Sequence, residues 1–137
     1  MVNKAVLATR LERLREYLGI LESVLQYDAD RFVQDPFIHG TAERNLHLAI
    51  ESLLDIGNHI ISDRGYPKPE TYADIFRILG EREVIPPSLL HELDGMAAFR
   101  NLLVHDYLRL DRHKVFHVIG DKLPSLKKLA EIYAGLL

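Results

Sequence analysis

Leucine recurs in the first quarter of the chain in alternating steps of four and three residues, at positions 7, 11, 14, 18, 21 and 25. Residues three and four apart share one face of an α-helix, so the pattern predicts a helix over about residues 3–26. Charged residues occupy the other faces of this segment. Such a pattern is typical of a helix that packs in a bundle.

The same spacing returns in later segments, which proline and glycine separate. Asp35-Pro36 resembles a helix N-cap followed by proline at the first helical position, and Gly65 with Pro67 ends the same segment. We expect Pro124 to kink or split the last helix. Together the patterns predict a short helical turn near residues 28–33 and helices over residues 36–64, 71–82, 87–107 and 111–134.

No stretch of useful length alternates with period two, and the sequence has no internal repeat or low-complexity tract. A chain of 137 residues suits one domain with a substantial core. We therefore predict a single all-α domain over residues 1–137, an antiparallel helical bundle of four main helices with short extra helices.

Composition excludes several kinds of chemistry. The chain has no cysteine, which rules out disulfides, thiolate metal sites and cysteine nucleophiles. No apolar run approaches the ~20 residues that a membrane-spanning helix needs. The N-terminal segment is charged and amphipathic, unlike a signal peptide. These features predict a cytoplasmic protein with no membrane association.

The charge distribution indicates which kinds of contact with nucleic acid are compatible with the sequence. The formal net charge of −3 argues against a protein that coats nucleic acid in general. Residues 100–114 nevertheless carry four arginines and lysines against two aspartates, a local excess of +2. An enzyme that touches RNA at one small patch is compatible with this distribution.

The most informative stretch reads Arg-Asn-Leu-Leu-Val-His-Asp-Tyr from Arg100 to Tyr107. On one continuous helix Tyr107 would lie ~20° from Arg100 on the apolar face, whereas His105 would lie ~140° away. Asn101 precedes His105 by four residues and can orient its ring. A charged arginine in an apolar stripe must be paired, or must face a wet cleft or an interface. These side chains together suggest that the segment handles a phosphate.

A plainer interpretation of the same segment is structural. Arg100 would extend along the apolar surface to reach water, and His105 would interact with the helix C-terminus. Tyr107 would pack on the end of the bundle with its hydroxyl in water.

The segment resembles the HEPN superfamily of helical ribonucleases, in which a polar residue follows the arginine of an Arg-x4-His motif. A tyrosine two residues after the histidine narrows the resemblance to the HepT-like branch of toxins. The four motif positions are filled by Arg100, Asn101, His105 and Tyr107. The resemblance extends along nearly the whole chain, through the leucine-rich first helix, Glu43-Arg44-Asn45-Leu46, Glu51, Asp55-Ile56-Gly57-Asn58-His59 and Lys122-Leu123-Pro124.

The resemblance implies a metal-independent ribonuclease without a cofactor, acting as a homodimer whose cleft combines motif elements from both subunits. His105 would be the general acid or base, and Arg100 would stabilise charge on the phosphoryl group of the RNA substrate. The family also implies a partner, a nucleotidyltransferase antitoxin of the MntA type. It would attach AMP to the motif tyrosine, here Tyr107, and so block the anion site.

Two other functions stay open. The chain could be an inactive HEPN dimer that binds a nucleotide, RNA or a partner protein. It could also be a helical adaptor for the nucleotidyltransferase, with Arg100 serving only the dimer contact.

Polar residues outside the motif offer further candidates. Glu51, Asp55 and Asn58 form a stripe on the second predicted long helix. They are either a solvated face or a supporting group in which Glu51 or Asp55 pairs with Arg100 or orients His105.

The remaining histidines point to no metal site. His113 and His117 are four residues apart and could bind a metal, but no third ligand lies nearby in the sequence, so we expect a surface or packing role. We expect four others to be structural, namely His39, His47, His59 and His91.

Overall fold

A computed structural model describes residues 4–137, apart from the side chain of Tyr107. The elements in chain order are α1 (Lys4–Val24), α2 (Ala29–Gln34), α3 (Pro36–Asp63), α4 (Tyr72–Glu81), α5 (Pro87–Glu92), α6 (Met96–His105), a 3-10 turn (Tyr107–Arg109) and α7 (Arg112–Gly135). Residues 4–137 contain no β-strand, so the prediction of an all-α bundle is confirmed. No helix within this range is both long and apolar enough for a transmembrane span.

Helix α3 is the centre of the bundle. It contacts α1, α2, α4, α6 and α7, and it buries side chains on several faces. The predicted leucine stripe of α1 is confirmed, because positions 7, 11, 14, 18 and 21 are at most 4% exposed. Leu25 is only partly buried, since α1 ends one residue earlier. The core therefore forms where the three- and four-residue spacing predicts it.

Local capping explains where the helices begin and end. The Asp35 side chain accepts a hydrogen bond from the Phe37 N–H at 3.0 Å, and Pro36 follows in the first turn as predicted. Gly65, with φ +68°, lies just beyond the end of α3. Thr71 and the carboxylate of residue 74 form a capping box at α4.

The predicted continuous helix over residues 87–107 is wrong. The chain leaves helical geometry between α5 and α6, where Gly95 has φ +82°, a conformation that glycine adopts without steric cost. Helix α6 then ends at His105, because Asp106 has φ −133° and ψ 30°. Tyr107 belongs to the 3-10 turn, so the seven-residue helical spacing that placed it over Arg100 does not apply. The apolar residues keep helical spacing across the breaks at Gly95 and Asp106, so the sequence pattern does not reveal either break.

Pro124 does not split the last helix. It lies inside α7, which runs unbroken from Arg112 to Gly135. That part of the prediction is wrong. The packing of α7 on both α1 and α3 holds the segments before and after the proline in one helix.

Gly57 lets α3 approach its neighbours closely. A Cβ atom at this position would lie 2.7 Å from the Tyr133 hydroxyl oxygen and 2.9 Å from a methyl carbon of Ile75. Tyr133 is fully buried, and its hydroxyl donates a hydrogen bond to the Leu53 carbonyl at 2.9 Å. Burial raises the pKa of Tyr133, so the hydroxyl keeps the proton that it donates.

We predict that Gly57→Ala lowers the free energy of unfolding by about 1–3 kcal/mol, because the added methyl overpacks a filled core. Gly40→Ala in the same helix is the matched control. No atom lies within 4 Å of a Cβ at Gly40, so this change should stabilise the protein by about 0.5–1 kcal/mol through helix propensity. Urea unfolding of both variants measures the difference, and equal stability of the two would contradict the packing described here.

Candidate active site

Helix α6 places Arg100 against α3. The Arg100 Nη2 donates to Glu51 Oε1 at 3.2 Å, and Nη1 donates to Asn101 Oδ1 at 3.0 Å. The Arg100 side chain is only 12% exposed, whereas the Glu51 side chain is 45% exposed. The arginine in the apolar stripe is therefore paired, and the carboxylate that pairs with it reaches solvent.

An aromatic ring covers the Arg100 guanidinium. The Arg100 Cζ lies 5.1 Å from the ring centroid of Tyr72. Tyr72 is the first residue of α4 and is 49% exposed. Of the five guanidinium N–H groups, one on Nη1 and one on Nη2 thus have described hydrogen bonds. The N–H on Nε is buried and has none among the described residues.

Glu51 binds a second basic side chain. Its Oε2 lies 2.6 Å from the Nε2 of His47, one turn earlier on α3, whose side chain is 16% exposed. Burial raises the pKa of Glu51, but the Arg100 hydrogen bond and the charges of Arg100 and His47 outweigh burial and hold it below its ordinary value. The carboxylate is therefore charged at neutral pH and bridges α3 to α6.

Asp55 does not take part in this cluster. Its Oδ2 lies 2.7 Å from Nη1 of Arg10 on α1, so the expected supporting contact with Arg100 or His105 is wrong for this residue. The reason is geometric, because each step of four residues along a helix turns the side chain by ~40°. The step from Glu51 to Asp55 turns the carboxylate away from α6 and toward α1.

His105 is the last residue of α6, and its side chain is exposed. It has no hydrogen bond or ion pair with any side chain that the structure describes. The Asn101 amide oxygen accepts from Arg100, so the expected contact in which Asn101 orients His105 is absent. The imidazole is open to a ligand, and it lies at the helix end that carries a partial negative charge.

The Tyr107 side chain lies outside the described part of the structure. Its backbone begins the 3-10 turn two residues after His105. The prediction that this tyrosine accepts AMP therefore stays a prediction.

Sequence reasoning missed a repeated His-Glu-Arg arrangement on α3. His39 Nδ1 lies 3.2 Å from Glu43 Oε2, the same four-residue spacing as His47 and Glu51. Arg112, the first residue of α7, donates from Nε to His39 Nδ1 at 3.0 Å. The signal in the sequence was a His-x3-Glu spacing that occurs twice on one helix. Because His39 Nδ1 accepts from Arg112, it cannot also donate to Glu43, and the Arg112 Nε lies 3.4 Å from Glu43 Oε2 as well. Both histidines lie beside carboxylates.

The other predicted candidates lie apart. His113 and His117 are exposed on α7, and the described residues contain no group of three side chains suited to a metal ion. A groove of about 670 Å³ runs between α4, α5 and α6. Phe76, Leu90 and Ala98 contribute to its walls, and Ala97 places it one turn before Arg100 on α6. The motif helix thus forms one wall of this groove.

Comparison with known proteins identifies the family. A family model described as Ribonuclease HepT-like matches residues 14–132. The chain belongs to the HepT-like ribonuclease family. The motif spacing in this HepT-like chain indicates the same family as the family model.

Relatives match almost the full length. The chain is 27% identical over 133 residues to mRNA nuclease HepT of Shewanella oneidensis, covering 96% of this chain and 94% of that protein. It is 29% identical over 119 residues to tRNA nuclease HepT of Aphanizomenon flos-aquae, covering 87% and 81%. Its fold is similar to that of a tri-AMPylated Shewanella oneidensis HEPN toxin in complex with MNT antitoxin. The TM-score is 0.86 at 25% identity, covering 98% and 99% of the two chains.

The lowered pKa of Glu51 predicts a pH-dependent stability. A folded pKa below the unfolded value means that the stabilisation is complete above the ordinary value of 4.5 and is lost as pH falls through the folded value. Glu51→Gln should therefore lower the free energy of unfolding by about 1 kcal/mol at pH 7, a value limited by solvent screening of the half-exposed carboxylate.

The difference between Glu51→Gln and the wild type should shrink as the pH is lowered below 4.5. Urea unfolding at a series of pH values measures it. Glu12→Gln, at an exposed α1 position without a described ion pair, is the control and should show little effect at any pH. A Glu51→Gln difference that stays constant with pH would contradict the bridging role of the carboxylate.

Proposed function

We propose that this protein is an RNA-cleaving toxin of a toxin–antitoxin pair, acting without a metal ion. The observation that carries the proposal is the placement of two motif side chains on α6: an exposed imidazole at its end and a guanidinium anchored by Glu51. Family membership and the nuclease names of the relatives support the same activity.

The chemistry follows from the two side chains. An imidazole can both accept and donate a proton, so His105 accepts the proton of an RNA 2′-hydroxyl as that oxygen attacks the adjacent phosphorus. The bond from phosphorus to the 5′-oxygen breaks, and a protonated imidazole returns a proton to the leaving oxygen. Arg100 stays protonated throughout and stabilises the negative charge that develops on the phosphoryl oxygens.

A homodimer supplies the geometry that one chain lacks. Arg100 and His105 both lie within α6, so they point ~140° apart on that helix. The imidazole of one chain and the guanidinium of another can face the same phosphate across a two-fold axis. The groove beside α6, with its apolar walls, gives a second copy a surface to bury.

We predict that the purified protein cleaves RNA in the presence of EDTA and that His105→Ala lowers the rate by about 100-fold or more, because general acid–base catalysis is lost. Arg100→Ala should lower it by a similar factor through lost charge stabilisation. Gel analysis of labelled single-stranded RNA measures cleavage.

His113→Ala is the matched control, since that histidine is exposed at the start of α7 and outside the motif. Circular dichroism establishes that each variant is folded. Full cleavage by folded His105→Ala would contradict the catalytic assignment.

The partner that we propose is a nucleotidyltransferase antitoxin. The structural relative in complex with MNT antitoxin is tri-AMPylated, which supports AMP transfer to this chain as well. We propose Tyr107 as the acceptor, because it follows His105 by two residues in the motif. Phosphates added there would compete with RNA for Arg100 by charge and bulk.

On co-expression with its nucleotidyltransferase partner, the protein should gain mass in whole AMP units, and cleavage should fall to background. Tyr107→Phe should show no gain, because the hydroxyl that attacks the α-phosphate of ATP and displaces pyrophosphate is missing. Intact-protein mass spectrometry measures both forms. Tyr66→Phe is the control, and the same gain in Tyr107→Phe as in the wild type would mean that another residue is the acceptor.

The burial of Arg100 favours a second candidate function. With a side chain 12% exposed and paired to Glu51, the arginine could serve only the dimer contact of a binding module or nucleotidyltransferase adaptor. In that case Arg100→Ala yields monomers in sedimentation analysis. A dimeric Arg100→Ala variant that has lost cleavage supports the enzyme instead.

A further inference from the structure

The Glu51 carboxylate lies between two basic side chains. Oε1 accepts from Arg100 Nη2 at 3.2 Å, while Oε2 lies 2.6 Å from His47 Nε2. An arginine and a carboxylate often form two parallel hydrogen bonds through adjacent N–H groups. Only one of these bonds forms here. The Arg100 Nε, which shares an edge of the guanidinium with Nη2, is buried and has no hydrogen-bond partner in the described part of the chain.

The position of His47 accounts for this incomplete pairing. It lies one helical turn before Glu51, and its side chain is 16% exposed, so the imidazole is fixed beside the carboxylate. The contact at 2.6 Å brings Nε2 against Oε2 without hydrogen-bond geometry, because His47 Nε2 has no hydrogen-bond partner among the described residues. A buried unpaired N–H is unfavourable, so we expect Nε to pair with Oε2 once the imidazole is removed.

We propose that His47 is a positioning residue, which prevents Glu51 from closing a two-bond clamp on Arg100. This inference rests on the proposed function, because it concerns the arginine that would bind the phosphoryl group. With His47 in place, Glu51 orients the guanidinium through one bond and leaves donor capacity for a phosphate. Without His47, the carboxylate turns onto Nε and competes with the substrate for the arginine.

The test is a double-mutant cycle in RNA cleavage. His47→Ala should lower kcat by about 10-fold or more, with a smaller change in KM, because the arginine is withdrawn from the transition state. Thermal stability should be unchanged or raised, because the ion pair has become complete. In the Glu51→Gln background His47→Ala should have no effect on kcat, since the glutamine amide has one acceptor oxygen and cannot form the two parallel bonds with Nη2 and Nε.

His39→Ala is the matched control. His39 has the same spacing to a glutamate on α3 and similar burial, with a side chain 14% exposed, but its cluster holds Arg112 instead of Arg100. It should leave kcat unchanged. An equal loss of kcat from His47→Ala in the wild-type and Glu51→Gln backgrounds, or no loss in either, would overturn the proposal.

A second measurement does not depend on cleavage. In ¹⁵N-edited NMR spectra the Nε–H resonance of Arg100, assigned by its loss in Arg100→Lys, should move downfield in His47→Ala as the new hydrogen bond forms. An unchanged resonance would overturn the proposal. Absence of His105-dependent cleavage in the wild type would instead reject the proposed function, and the NMR result would still decide whether His47 restrains Glu51.

Discussion

The structure depends on how one buried positive charge is paired. Arg100 lies in the apolar stripe of α6, where an unpaired guanidinium would cost several kcal/mol, and Glu51 on α3 neutralises it at 3.2 Å. Because Glu51 is half-exposed, the pair lies at the boundary between core and solvent and not in the interior. That boundary position fixes the direction of the guanidinium and keeps it close to solvent.

Helix α3 forms ion pairs of this kind, between one of its carboxylates and an arginine of another helix, at three positions. Polar side chains recur on it every four residues, at His39, Glu43, His47, Glu51 and Asp55. Because each step turns by ~40°, the carboxylates face successive neighbours and pair with arginines from α7, α6 and α1 respectively. These ion pairs help to orient α7, α6 and α1 relative to α3, whereas the stability of the bundle comes mainly from leucine and isoleucine burial. One of the three arginines belongs to the HepT-like motif, so the same architecture also builds the candidate active site.

The hydrophobic periodicity predicted most of the fold, because the apolar stripe and the caps of a helix depend on residues that are close in the sequence. It failed between Glu92 and Met96, where the apolar pattern continues through a turn that only the conformation of Gly95 reveals. The motif residues were predicted from spacing and family resemblance, and a pairing of Glu51 or Asp55 with Arg100 was one of two open alternatives for the polar stripe. Pairing of Glu51 with Arg100, and of Asp55 with Arg10, depends on which helix faces which, and this is a tertiary property. His47 was overlooked for the same reason.

The most direct test of this account is the coupling between Arg100 and Glu51 in the free energy of unfolding. Arg100→Met keeps the apolar stem, Glu51→Gln keeps the shape, and urea unfolding at pH 7 of both single variants and the double variant gives the cycle. We predict a coupling of about 1 kcal/mol or more, because removing one partner leaves the other charge unpaired whereas removing both does not. Additivity within about 0.3 kcal/mol would contradict the claim that this pair fixes the motif arginine.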